Sequence, residues 1–145
     1  MFPTLVLDNN VVFDWLVFHD PSTLPLAAEI GAGRVHWIAT VAMRDELEHV
    51  LARGRLDRWQ PDLAAIRASW DSWASICDAP DLPAPAALRC SDRDDQKFID
   101  LALHRRADAL LSHDRAVLRL AGRARRVGLT ISSPAAWFAR HAPPG

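Results

Sequence analysis

Pro3-Thr-Leu-Val-Leu-Asp-Asn-Asn10 is a dense apolar run that breaks off at a carboxylate and two amides. A run this short, bounded by turn-forming residues, reads as a strand buried on both faces and running into a loop. Strands of that kind belong to parallel sheets covered by helices. Val35 to Ala39, Ala107 to Ser112 and Val127 to Ser132 repeat the pattern. Helical segments fill the intervals at Val11 to Phe18, Ser22 to Ala32, Thr40 to Arg53, Pro61 to Cys77, Ser91 or Asp92 to Arg106, Arg115 to Ala121 and Pro134 to His141. Thr40 is a suitable cap, Pro61 suits a first helical position, and Gly54 and Gly122 are stops. Pro80, Pro83 and Pro85 make Ala79 to Cys90 a connector. The alternation predicts an α/β fold with a central parallel sheet of four to five strands and helices on both faces. The 145 residues suit one domain, assigned to residues 1–141, with Ala142-Pro-Pro-Gly145 expected to be a frayed, disordered tail.

Composition narrows the function classes. Apolar residues make up 50% and charged residues 24%, which is the balance of a globular domain. A net charge of -1 excludes a protein that coats nucleic acid by bulk positive charge. No apolar run approaches the roughly 18 residues of a membrane span, and the first residues lack a basic leader, so a cytoplasmic location without membrane contact is expected. Cys77 and Cys90 have no metal-type spacing and read as ordinary thiols, and the histidines lack zinc-binding spacing. Lys97 is the only lysine beside sixteen arginines.

In open parallel sheets, ligands bind at the carboxyl ends of the strands. Asp8 follows the first strand and Asp114 follows Ala109-Leu-Leu-Ser-His113, so two strands deliver a carboxylate to one edge. Helical spacing adds a third acid. Asp95 falls inside the apolar stripe of Phe98, Ile99 and Ala102, where an ionised carboxylate must be neutral, paired with arginine or held by a cation. Asp100 lies on the opposite, solvent side of that helix. On the helix from Thr40, Met43, Leu47, Val50 and Leu51 form the stripe and Glu46 sits on its shoulder, able to reach inward. Four carboxylates from two strand ends and two helices would repel one another unless a hard divalent cation, Mg²⁺ or Mn²⁺, held them together. Phosphodiester hydrolysis by metal-activated water is the chemistry best suited to such a group.

These residues resemble those of the PIN-domain ribonucleases, in particular the toxins of bacterial toxin-antitoxin pairs. Leu5-Val-Leu-Asp8-Asn-Asn10 matches the family's strand-Asp start, Arg44-Asp-Glu46-Leu-Glu-His-Val-Leu51 its glutamate helix, Asp92-Arg-Asp-Asp95-Gln-Lys-Phe-Ile-Asp-Leu-Ala102 its central acidic helix, and Leu110-Leu-Ser-His-Asp114 its last acidic motif. The resemblance implies that Asp8, Glu46, Asp95 and Asp114 are catalytic, metal-binding acids and that Asn10, Asp92 and Ser112 support them. It also implies a metal-dependent endoribonuclease acting on RNA, a small antitoxin partner and a homodimer. Two positions depart from the pattern. Asn9 replaces a hydroxyl residue, and His113 replaces a small residue and is expected to point to solvent.

Setting the four acids aside leaves 14 acids against 17 bases, so charge does not forbid RNA. Arg53, Arg55, Arg123 and Arg126 are the candidate phosphate contacts. Trp59, Trp70 and Trp73 lie on or near the central helical hairpin and are expected to be mostly core, with a partly exposed one able to meet a partner helix. The alternatives are a catalytically inactive PIN-like module that binds RNA or protein and, less favoured, a haloacid-dehalogenase-type phosphatase. The latter needs a second Asp where Asn10 stands and a catalytic lysine, for which only Lys97 is available.

Overall fold

A computed structural model describes residues 2–141, and the tail assigned to 142–145 lies outside them. Five strands, β1 (Thr4–Leu7), β2 (His36–Ala39), β3 (Ala74–Ile76), β4 (Ala109–Leu111) and β5 (Thr130–Ser132), form one sheet in the order β3-β2-β1-β4-β5. Every pairing is parallel. Among the described residues eight α-helices occupy the intervals: α1 (Asn9–Leu16), α2 (Leu24–Gly31), α3 (Val41–Ala52), α4 (Leu63–Trp73), α5 (Gln96–His104), α6 (Arg115–Leu118), α7 (Ala121–Arg125) and α8 (Pro134–Arg140). Among the described residues no helix is long and apolar enough to cross a membrane.

The chain moves outward from β1 to β2 and β3, then returns across β1 to β4 and β5. Parallel crossovers are right-handed, so the outward helices cover one face and those on the return path cover the other. The reversal leaves a crevice beyond the carboxyl ends of β1 and β4, where their loops part to opposite faces.

Complete burial drives the layering. Leu5, Val6, Ala109, Leu110 and Leu111 have no exposed surface, and Phe98, Ile99, Leu101 and Ala102 of α5 pack over β1 and β4. On the other face, Trp37 of β2 is fully buried, with its ring centroid 5.8 Å from Trp15 and 4.6 Å from Trp70. Trp59 and Trp73 remain 41% exposed, against Phe18 and Trp15 respectively.

The fifth strand was hidden inside the helix expected from Pro61 to Cys77. That helix ends at Trp73, and Ala74–Ile76 pairs with Trp37–Ala39. The apolar residues 74–77 suit either conformation locally, and the backbone groups left free along β2 decide for the strand. α3 is capped by Thr40, whose hydroxyl accepts the Met43 N–H at 3.4 Å. It closes at Gly54, whose φ of +77° strains any residue with a side chain. The connector from Ala79 to Cys90 is anchored on α5. Asp100 accepts from the Ala84 N–H and the Gln96 amide, while Gln96 also binds the backbone of Leu88 and Cys90. Asp100 therefore faces the connector and not open solvent, because the proline-rich segment covers that side of the helix.

Trp37→Ala should lower the unfolding free energy by about 3–5 kcal/mol through loss of burial and a residual cavity. Denaturant titration reads this as a drop in midpoint at an unchanged slope.

Candidate active site

β1 and β4 run side by side, and the Asp8 N–H continues their ladder by donating to the Leu111 carbonyl at 2.9 Å. The two strands therefore end level, Asp8 on one and Ser112 to Asp114 on the other. The fully buried Ser112 hydroxyl donates to Asp8 Oδ2 at 2.8 Å and accepts the Asp114 N–H at 2.9 Å. Each aspartate also caps the helix that follows it, Asp8 accepting from the Asn10 N–H and Asp114 from the Ala116 N–H. Capping leaves the other carboxylate oxygen of each turned to further partners.

Asp95 arrives from the opposite side of the crevice. It precedes α5 but makes no capping bond, its residue is only 8% exposed, and its Oδ2 has no partner. Burial, and then the neighbouring Asp8 and Asp114, push its carboxyl up to about 8. Burial likewise raises Asp8, with Asp114 and Glu46 adding repulsion against its hydrogen bonds to Ser112 and Asn10. Oxygen atoms of Asp92, Asp95 and Asp114 lie within 4.8 Å of one another. Asp92, expected to play only a supporting role, thus stands with the other two, brought round by the short turn that its side chain caps at Asp94.

Glu46 reaches the crevice from α3. Its carboxylate accepts from the Asn9 amide at 3.3 Å and pairs with the Lys97 ammonium, which also donates to the Asp94 carbonyl. Asn9, one of the two departures from the family pattern, donates in addition to the Met43 carbonyl at 3.1 Å and so ties α1 to α3. Asn10 accepts the His113 N–H at 3.3 Å. The His113 ring does not point to solvent: its Nδ1 pairs with Asp14, one helical turn beyond Asn10 on α1.

The four acids and the three supporting residues therefore gather at one edge, while the four arginines do not. Arg53 caps the far end of α3, about 10 Å along the helix beyond Glu46. Arg55 follows it. Arg123 and Arg126 lie on the return path of α7 to the amino end of β5, again opposite the acids. At the acidic edge Lys97 pairs with Glu46, and the exposed Arg93 and Arg115 adjoin Asp92 and Asp114 in sequence. Single basic residues among acids read locally as solvated charge, whereas runs of arginine stand out.

The donor set is made of oxygen atoms, includes a buried carboxylate with an orphaned oxygen, and carries more negative charge than its surroundings offset. That combination fits a hard divalent cation. The sequence matches a family model described as PIN domain over residues 4–116. No curated protein matches it. Among solved structures, VapBC2 from Rickettsia felis bound to a DNA fragment from their promoter is similar, with a TM-score of 0.56 at 13% identity over 90% of this chain and 98% of the other.

A carboxyl at about 8 in the fold and near 3.8 when unfolded means that the folded state holds the extra proton between those values. Stability from this group is complete below pH 4 and lost as pH rises to about 8. In chelator, Asp95→Asn should remove that decline and exceed the wild type above pH 8 by several degrees in Tm, as thermal melts across pH would read.

Proposed function

The chain belongs to the PIN domain family, and from that premise we propose that it is a Mg²⁺- or Mn²⁺-dependent endoribonuclease, the toxin of a toxin-antitoxin pair. The observation that carries this reading is the buried Asp95 carboxylate, with its unpartnered oxygen beside Asp92 and Asp114. Without a ligand such a group keeps its proton up to about pH 8, and a divalent cation is the partner that takes the proton's place. Family membership favours a nuclease over the phosphatase alternative.

Asp92, Asp95 and Asp114 would hold the cation, with Asp8 and Glu46 completing the negative edge from β1 and α3. The bound ion supplies Lewis-acid polarisation of the phosphate and of the attacking water. Ser112 keeps Asp8 and Asp114 in fixed register through one hydroxyl. Asn9 and Lys97 hold Glu46 to the same edge. No side chain of the crevice has to act as a covalent nucleophile.

The likeness to VapBC2 supports a small antitoxin as partner, and with the toxin role we propose a homodimer and a cytoplasmic setting. The exposed Trp59 and Trp73 are the aromatic groups available to a partner helix.

Purified protein incubated with assorted RNAs should cleave them with Mn²⁺ and not with chelator. Loss of an outer partner of a metal site commonly costs 10- to 100-fold, so Asp95→Asn and Asp114→Asn, which remove ligands themselves, should each lower cleavage by about 100-fold or more. RNA retained on a gel but never cut, whatever the metal, would identify a binding module instead.

A further inference from the structure

Lys97 is the only lysine of the chain and, among the described residues, the one cation in an ion pair with any of the five acids of the crevice. Its ammonium is fixed between Glu46 Oε2, 51 positions away in sequence, and the Asp94 carbonyl, 5.0 Å from the Phe98 ring centroid. An ammonium has three donors, and these contacts use two. The side chain keeps 26% of its surface open, and among the described residues no third hydrogen bond engages the ammonium.

Building on the nuclease reading, we propose that Lys97 is the phosphate-contacting residue of the site: held by Glu46 and the Asp94 carbonyl, it offers its remaining N–H to an RNA backbone oxygen next to the acids. The electrostatic need is plain. An RNA strand must bring negative phosphates against a carboxylate cluster, and the arginines that stood out in the sequence lie at the opposite edge of the sheet. A cation that belongs to the crevice lowers that repulsion where it is greatest. Arg93 and Arg115, both exposed, stand beside Asp92 and Asp114 in the chain.

This role makes two affinities move in opposite directions. Removing one positive charge from beside the acids makes the crevice more attractive to a cation and less attractive to RNA. Lys97→Met should therefore bind Mn²⁺ about three- to tenfold more tightly in an electron paramagnetic resonance titration of the metal alone. The same variant should raise the KM for RNA about tenfold, as expected for loss of a charge-assisted hydrogen bond, with a smaller change in kcat. Lys97→Arg should restore most of the KM. If Lys97 only braced Glu46, metal and RNA affinity would both weaken in Lys97→Met, and that result overturns the proposal. An unchanged KM overturns it as well while leaving the nuclease reading intact, provided the wild type cleaves. Wild-type protein that neither binds fluorescein-labelled RNA nor cleaves it ends the nuclease reading and the proposal together.

Discussion

One hydroxyl holds the functional edge together. Ser112 Oγ donates to Asp8 and accepts from the Asp114 backbone, so the ends of β1 and β4 cannot slide or part without breaking a buried hydrogen bond. The bond is possible only because the two strands are neighbours in parallel register, with Leu7 opposite Leu111. That pairing follows in turn from the reversal of strand order, which sends the loop after one strand to one face and the loop after the other to the opposite face. Asp8 and Asp114 stand at the seam, Glu46 comes from the α3 side and Asp95 from the α5 side.

Crowding carboxylates in this way works against folding. Asp95 bears most of the strain, since it is buried, faces three other acids, Asp8, Asp92 and Asp114, and lacks a partner for one oxygen. The sheet beneath tolerates this because its own burial is nearly complete, from Leu5 and Val6 through Leu110 to Phe98 and Ile99 above them. A rigid apolar platform can hold unfavourable charge in place where a loosely packed one would relax away from it. Lys97 and the Asn9 amide relieve part of the repulsion at Glu46 alone.

The legible parts were those with a strong local signature. Dense apolar runs at Leu5, Ile38 and Leu110 marked the central strands, and Asp95 betrayed itself by standing in an apolar stripe. Other features depended on partners distant in the chain. Ala74–Ile76 looked like the end of α4 until β2 supplied backbone to pair with it. Asp100 looked solvated until the proline-rich connector was laid against it, and His113 looked free until Asp14 of α1 met its Nδ1. Asp92 joined the acids because a short turn, not a regular helix, leads into α5.

The amino-acid order alone determined the fold class, the covering of the sheet and the placing of Asp8 and Asp114 at strand ends, because hydrophobic period and strand-end position are properties of neighbouring residues. Only the tertiary structure decided which charges face one another. It set Arg53, Arg55, Arg123 and Arg126 in or just beyond the last turns of α3 and α7, which run away from the carboxyl edge of the sheet, and brought Lys97 to Glu46 across the crevice. Electrostatic contact depends on distances across the fold, and those distances are set by how the helices cross the sheet and not by any local pattern.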